Sequence, residues 1–165
     1  MRRAERGSSR ALPRGLVGVV LLLLAARVAG ALYESSHPSV PTSLVNWVPL
    51  EQAEALSRER RLPIFYEFGA EWCEPCKDLN AEVFNDDETA REINATYIPV
   101  RVVDARQDEG SNSPEVAELV SRFRVEVLPT LLIVTPEGKV VKTRFGYGGI
   151  TETRLFFGFA TAKTM

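Results

Sequence analysis

The only two cysteines in the chain, Cys73 and Cys76, lie two residues apart, directly after an apolar run and at the head of a predicted helix. Two thiols at this spacing can close one small ring, and the start of a helix favours a thiolate electrostatically. A structural disulfide gains most when it closes a long loop, but this one would close only two intervening residues. The spacing therefore favours a dithiol that opens and closes over a structural cross-link.

The charged side chains are distributed unevenly along the 165 residues. Six of the 20 basic side chains but only one of the 22 acidic ones lie in residues 1–31, so the rest of the chain is near −7. An acidic body without a basic stripe argues against nucleic-acid binding. The length allows one ordinary domain and a short appendage.

The first 31 residues have the pattern of an export signal. A basic start is followed by an apolar run over residues 15–26, and the small residues Ala29, Gly30 and Ala31 follow Arg27. Cleavage after Ala31 is favoured over retention, because the uninterrupted run is shorter than the roughly 20 residues that a spanning helix needs. We interpret residues 1–31 as a signal peptide or signal anchor. If it is retained, residues 15–32 would attach the protein to the membrane, and either way the rest of the chain would lie across the membrane, in a periplasmic or other extracytoplasmic space.

Residues 32–46 are rich in serine and proline and show no periodicity, so they are interpreted as a linker. The only histidine, His37, lies there and is expected to be solvated. The ordered domain is predicted to begin at Trp47 and to include residues 47–165.

Within that domain, amphipathic helical segments alternate with short apolar strands. Strands are predicted at 64–68, 97–104, 127–135 and 140–145, and helices at 50–62, 73–84, 88–94 and 114–123. Thr151 is expected to cap a last helix that places Leu155, Phe156 and Phe159 at core spacing. Helices alternating with strands, then a hairpin and a helix, predict a mixed α/β fold with a largely buried sheet.

This order of elements resembles the thioredoxin family, because W-C-x-P-C-K follows the first long strand and Pro129-Thr130 begins a later one. The match runs from about Trp47 to the end of the chain. It is nearest to the C-terminal thioredoxin-like domain of bacterial transmembrane thiol–disulfide interchange proteins, with F-Y-x-F-x-A-x-W-C and V-F-N-D-D-E in similar places. The resemblance implies a thioredoxin-like α/β fold, a central mixed sheet flanked by helices.

Four catalytic residues are implied by the resemblance. Cys73 is the attacking thiol, Cys76 is the resolving thiol, Pro129 is a cis proline facing the pair, and Glu67 is the buried acid behind it. The strand pattern alone allows two interpretations of Glu67. It is either a buried carboxyl with a raised pKa that exchanges a proton with Cys76, or an exposed residue at a sheet edge. The resemblance favours the first.

Three further residues are candidates for contact with a client protein. Trp72 either lines the surface around the thiol or packs within the domain. Leu128 would offer backbone groups to an extended client segment by strand addition. Pro75 either stiffens the ring or simply starts the helix. The sulfur pair is expected to be exposed at the helix tip, beside this peptide-receiving surface.

Together these features predict an exported protein-disulfide oxidoreductase that uses no cofactor. The reductase direction is favoured, because Glu74 opposes the thiolate and so stabilises the disulfide form. Its partners would be disulfide-containing client proteins and an upstream thiol electron donor. Two cysteines and one distant histidine fall short of a four-ligand zinc site. The alternatives are a client-binding module of the same fold without turnover, and a dedicated thiol reductant in cytochrome maturation.

Overall fold

The computed structural model describes residues 43–159, together with residues 20, 22–24 and 27 near the N-terminus. The chain divides into two units, residues 1–40 and 41–165. The described residues of the first unit are helical. Among all residues described, no helix combines the length and the apolar content needed to cross a bilayer. Most of the predicted export signal and most of the predicted linker lie outside the described residues.

The second unit contains six helical segments and four strands in its described part. In chain order they are α1 (Leu50–Arg60), β1 (Ile64–Gly69), α2 (Glu74–Leu79), a π-helical segment (Asn80–Phe84), α3 (Asp87–Thr96), β2 (Ile98–Val103), α4 (Pro114–Arg122), β3 (Thr130–Val134), β4 (Val140–Phe145) and α5 (Ile150–Phe157). The strand order is β2-β1-β3-β4. Strands β1 and β2 are parallel, while β3 is antiparallel to both of its neighbours. The predicted mixed sheet is confirmed.

Local sequence signals account for several helix boundaries. The Asp86 side chain accepts a hydrogen bond of 2.8 Å from Thr89 N–H at the start of α3. Ser113 caps α4 in the same way, and Pro114 occupies the first turn, where a missing N–H costs nothing. Helix α1 ends at Arg61, which is left-handed at φ 56°, two residues before Pro63.

Strand β1 lies inside the sheet, and all six of its residues are buried. Its side chains alternate between two hydrophobic clusters on opposite faces. Phe65 packs with Leu79, Phe84 and residues of α3 and α5, whereas Tyr66 and Phe68 pack on the other face with residues of α1, α4 and β2. By the same alternation Glu67 lies on the Phe65 face, which is covered by α2 and the π-helical segment. The fold thus places a carboxyl beneath the helix that carries the cysteines.

Two details differ from the sequence prediction. The ordered body includes residues that were assigned to the linker, because Leu44 N–H donates to Phe84 O (3.0 Å) and Val45 is buried in the core. The last helix is capped by Gly149 rather than Thr151, and Phe157 is buried while Leu155 is exposed. The helix starts two residues earlier than predicted, and the face that it turns toward the core carries Phe157 and not Leu155.

Candidate active site

Cys73 and Cys76 form a disulfide at the start of α2, with an S–S distance of 2.02 Å and a Cα–Cα distance of 5.2 Å. Cys73 is the N-cap residue of α2, and Cys76 lies in its first turn. The motif directly follows β1, and Pro129 directly precedes β3, which pairs antiparallel with β1 through Phe68 and Thr130. The end of one strand and the start of the next therefore bring the cysteines and the proline to the same edge of the sheet.

The expectation that the sulfur pair is exposed is wrong for this disulfide-bonded state. Only 3% of Cys73 and 9% of Cys76 is accessible to solvent, whereas the neighbouring Trp72, Glu74 and Pro75 are exposed. The physical reason is that cysteine has a short side chain and each sulfur covers one side of its partner. An incoming thiol or disulfide must approach past the longer neighbouring side chains.

The start of α2 offers the Cys73 sulfur fewer backbone N–H donors than the start of a helix without proline in its first turn. Pro75 has no N–H, and the N–H groups of Cys76 and Lys77 donate to Cys73 O at 3.1 and 3.2 Å. Glu74, whose charge opposes a thiolate, is paired with Lys77 at 2.6 Å, but both side chains are exposed, so the pair is worth little. In this disulfide-bonded state the start of α2 therefore leaves few backbone donors for the Cys73 sulfur, which predicts a modest activation of Cys73.

Glu67 is buried, with 3% of the residue accessible, so the reading that places it at an exposed edge is excluded. Its Oε2 accepts a hydrogen bond of 2.8 Å from Arg101 Nε. Burial raises the pKa of Glu67, and the charge and hydrogen bond of Arg101 oppose that rise. The net effect is a raised pKa of Glu67, because the effect of burial exceeds the opposing effect of Arg101.

The absence of a side chain at Gly69 leaves room for the Glu67 carboxyl near Cys76. A Cβ added to Gly69 would lie 2.5 Å from Glu67 Oε1 and 3.6 Å from Cys76 Sγ. Both atoms therefore lie around the space that the missing side chain leaves. They also line one cleft of about 150 Å³, together with Asn80, Lys77 and Arg101 among other residues. This cleft connects the carboxyl and the sulfur.

Arg101 is the main site residue that the sequence prediction missed. It lies directly opposite Glu67 in the parallel register of β1 and β2, and its Nη2 donates to Asn80 Oδ1 at 2.9 Å. An arginine within the apolar run of β2 was the available signal. Its partner could not be identified, because the register of two strands that are distant in sequence is a tertiary property.

A second cavity is lined by two of the predicted client contacts. Trp72 and Leu128 line it with Arg106 and Glu126 among other residues, and its volume is about 320 Å³. Trp72 is 43% exposed, which places it on the surface rather than within the core. The Leu128–Pro129 peptide bond is cis, as the resemblance implies. Pro75 is exposed at an early position of α2.

Two exposed apolar side chains near this edge were not identified from the sequence. Phe145 is 63% exposed and is paired with Thr130, the residue after Pro129. Val127, two residues before Pro129, is also exposed. Large exposed apolar side chains grouped on one side of a domain indicate a surface for contact with other molecules. Among the described residues, no three His, Cys, Asp or Glu side chains are grouped closely enough to hold a metal ion.

Comparisons with known proteins agree with this arrangement. The model of the thioredoxin-like domain family matches residues 50–156. A thiol:disulfide interchange protein DsbD from Photorhabdus laumondii is 24% identical over 146 residues, covering 84% of this chain. The present chain spans only 24% of the length of that relative.

Two solved structures show the same fold. A thioredoxin from Thermus thermophilus has 25% identity and a TM-score of 0.58, covering 69% of this chain and 85% of that one. The oxidised C-terminal domain of DsbD from Neisseria meningitidis has 18% identity and a TM-score of 0.52, covering 64% of this chain and 86% of that domain. With a matching family model over most of the ordered domain, a thioredoxin-like fold and a Cys73–Cys76 pair at disulfide distance, the chain belongs to the thioredoxin-like domain family.

Proposed function

We propose that this protein reduces disulfides in exported client proteins and is itself re-reduced by an upstream thiol donor. The observation that carries the proposal is that the buried Glu67 carboxyl and Cys76 line one cleft on the face covered by the cysteine helix, on either side of the space left by Gly69. A structural cross-link needs no ionisable group behind it, and burying one costs free energy. Thiol–disulfide exchange can use such a group as a proton acceptor, because the attacking species is a thiolate.

The proposed reaction has two exchange steps. The Cys73 thiolate attacks one sulfur of the client disulfide, so a Cys73–client bond forms and the client disulfide breaks. Glu67 then takes the proton of Cys76, and the Cys76 thiolate attacks Cys73 sulfur. The intramolecular disulfide forms, the client leaves as a dithiol after protonation, and two electrons pass from protein to client. The proton on Glu67 leaves through the cleft.

The reductase direction is supported by the modest activation of Cys73. The donors at the start of α2 are few, and Glu74 adds a negative charge close by. A less stabilised thiolate makes the disulfide form relatively more stable, which is the property of a reductant. Export is inferred from the basic and apolar pattern of residues 1–31. Periplasmic or other extracytoplasmic clients, reached from a secreted or membrane-attached form, follow from that inference.

The test is reduction of insulin disulfides by the full chain, with dithiothreitol as electron source. We expect precipitation of the insulin chains well before it occurs with dithiothreitol alone. A rate equal to that of the reductant alone would contradict the proposal. It would favour a client-binding module of the same fold, for which the low accessibility of Cys73 is the supporting observation.

Trp72 is proposed to contact the client beside the attacking thiol. Replacing Trp72 with alanine is expected to raise KM for insulin several-fold. Exposed aromatic side chains contribute much of the binding free energy at protein interfaces, and truncating one costs on the order of 1–2 kcal/mol. The thermal unfolding midpoint should change little, because this side chain is largely outside the core. Leu155→Ala, another exposed apolar truncation, is the matched control and should leave KM unchanged. Equal KM values for the Trp72 variant and wild type would contradict the assignment.

A further inference from the structure

Trp47 lies at the junction between the predicted linker and the domain, and the structure holds its ring firmly. Its indole Nε1 donates to Ser43 Oγ at 3.1 Å, and the next residue, Val48, donates through its N–H to Pro99 O at 2.8 Å. The ring packs edge-on against Phe84, with centroids 5.1 Å apart. It also contacts Phe65 at 6.0 Å between centroids.

The held ring faces the guanidinium of Arg101. Arg101 Cζ lies 4.3 Å from the Trp47 ring centroid, within the range of a cation–π contact. The same guanidinium donates to Glu67 Oε2 at 2.8 Å and to Asn80 Oδ1 at 2.9 Å. With 19% of its side chain accessible, Arg101 is largely withdrawn from water, where such a contact is strongest.

We propose that Trp47 is a positioning residue for the resolving half-reaction: its ring fixes the Arg101 guanidinium against Glu67, and through it sets when Glu67 can accept the proton of Cys76. The inference rests on the proposed function. It assigns a role in the chemistry to a residue that touches neither sulfur. It also makes the first ordered turn after the predicted linker part of the active-site support.

The effect follows from the charges that face Glu67. Arg101 faces it from β2, and Cys76 and Lys77 from α2, while Glu71 from the turn before the motif lines the same cleft. Arg101 is the cation bonded to the carboxyl, so its placement sets how far the pKa of Glu67 rises through burial. Without the ring, the long arginine side chain gains rotamers that do not reach Oε2. Glu67 then stays protonated to a higher pH and cannot take a proton from Cys76.

The two half-reactions can be observed separately with dithiobis(nitrobenzoate), an aromatic disulfide that releases a coloured thiolate at each step. At equimolar reagent the fast phase reports attack by Cys73, and the slow phase reports resolution by Cys76. For Trp47→Leu we expect the rate of the slow phase below its midpoint pH to fall by roughly 3- to 30-fold, the range from an exposed to a desolvated cation–π contact. Its pH midpoint should move upward, while the fast phase keeps its wild-type profile. Trp47→Phe, which retains a π face, should restore most of the rate.

Because Trp47 also packs in the core, Arg101→Lys provides a second variant that leaves the ring in place. Lysine keeps the charge but loses the planar guanidinium that stacks on the Trp47 ring and donates to both Glu67 Oε2 and Asn80 Oδ1. It should shift the slow phase in the same direction. Arg58→Lys is the matched control, because Arg58 is in an exposed ion pair with Glu54 and should shift neither phase. A slow-phase pH profile equal to that of wild type in either folded variant would overturn the inference. A wild-type protein that releases only one equivalent of coloured thiolate, and so never closes its own disulfide, would instead contradict the proposed function.

Discussion

Cys76→Ser is expected to stop turnover and to leave clients covalently bound to Cys73. Without the second thiol, nothing within the protein attacks the mixed disulfide, so the reaction stops after the first exchange. We expect insulin reduction to fall by at least about 100-fold, as for removal of a group that acts in the bond-breaking step. The measurement is the turnover rate, together with the mass of the trapped species on a non-reducing gel.

The matched control exchanges the other cysteine. Cys73→Ser should also stop turnover but should capture far fewer clients, because Cys76 is proposed to attack Cys73 rather than the client. Treatment of both trapped samples with dithiothreitol should release the clients, which distinguishes a mixed disulfide from aggregation. Greater capture by Cys73→Ser would reverse the assignment of attacking and resolving thiols, equal capture would contradict any division of roles, and capture by neither would contradict covalent exchange.

Arg101→Met is expected to be the most destabilising single change among the charged residues of the site. It leaves the Glu67 carboxylate buried without the cation that is bonded to it, and breaking a buried pair costs about 3–5 kcal/mol. Since Arg101 retains some access to water, we expect a loss in free energy of unfolding near the lower limit, about 3 kcal/mol at neutral pH. Denaturant unfolding measures it.

The same variant should recover stability as the pH is lowered. Burial raises the pKa of Glu67, and removing Arg101 raises it further. A carboxyl whose pKa is higher in the folded state than in the unfolded state binds more protons when folded. The free energy of unfolding therefore falls as the pH rises from the pKa of unfolded glutamate, about 4.3, through the pKa of Glu67 in the folded state. The deficit of Arg101→Met relative to wild type should therefore be largest at neutral pH and should shrink toward pH 5.

Two further variants test whether the buried charge of Glu67 causes the loss of stability in Arg101→Met. Glu67→Gln combined with Arg101→Met removes the buried charge as well and should be more stable than Arg101→Met alone, as a double-mutant cycle requires for a coupled pair. Arg58→Met removes an exposed arginine from an ion pair and should cost at most about 1 kcal/mol. A deficit of Arg101→Met that does not change with pH would show that the loss is one of packing and not of charge.

Much of the fold could be predicted from the chain because its signals are local. The apolar run of β1, the proline and serine at the start of α4 and the cysteine spacing each depend on residues a few positions apart. The start of α5 was predicted less well. Gly149 and Thr151 are both acceptable caps in sequence, and packing of Phe157 in the core decides between them.

The sequence by itself determined that one dithiol lies at the start of a helix after a buried strand, because cysteine spacing and hydrophobic periodicity depend only on residues that are close in sequence. Only the tertiary structure decided what surrounds that dithiol. Glu67 and Arg101 are 34 positions apart and meet through the register of β1 and β2, and Trp47 reaches them because the chain before α1 packs back onto the same face. Contacts of this kind depend on how distant segments align, and no local pattern specifies that alignment.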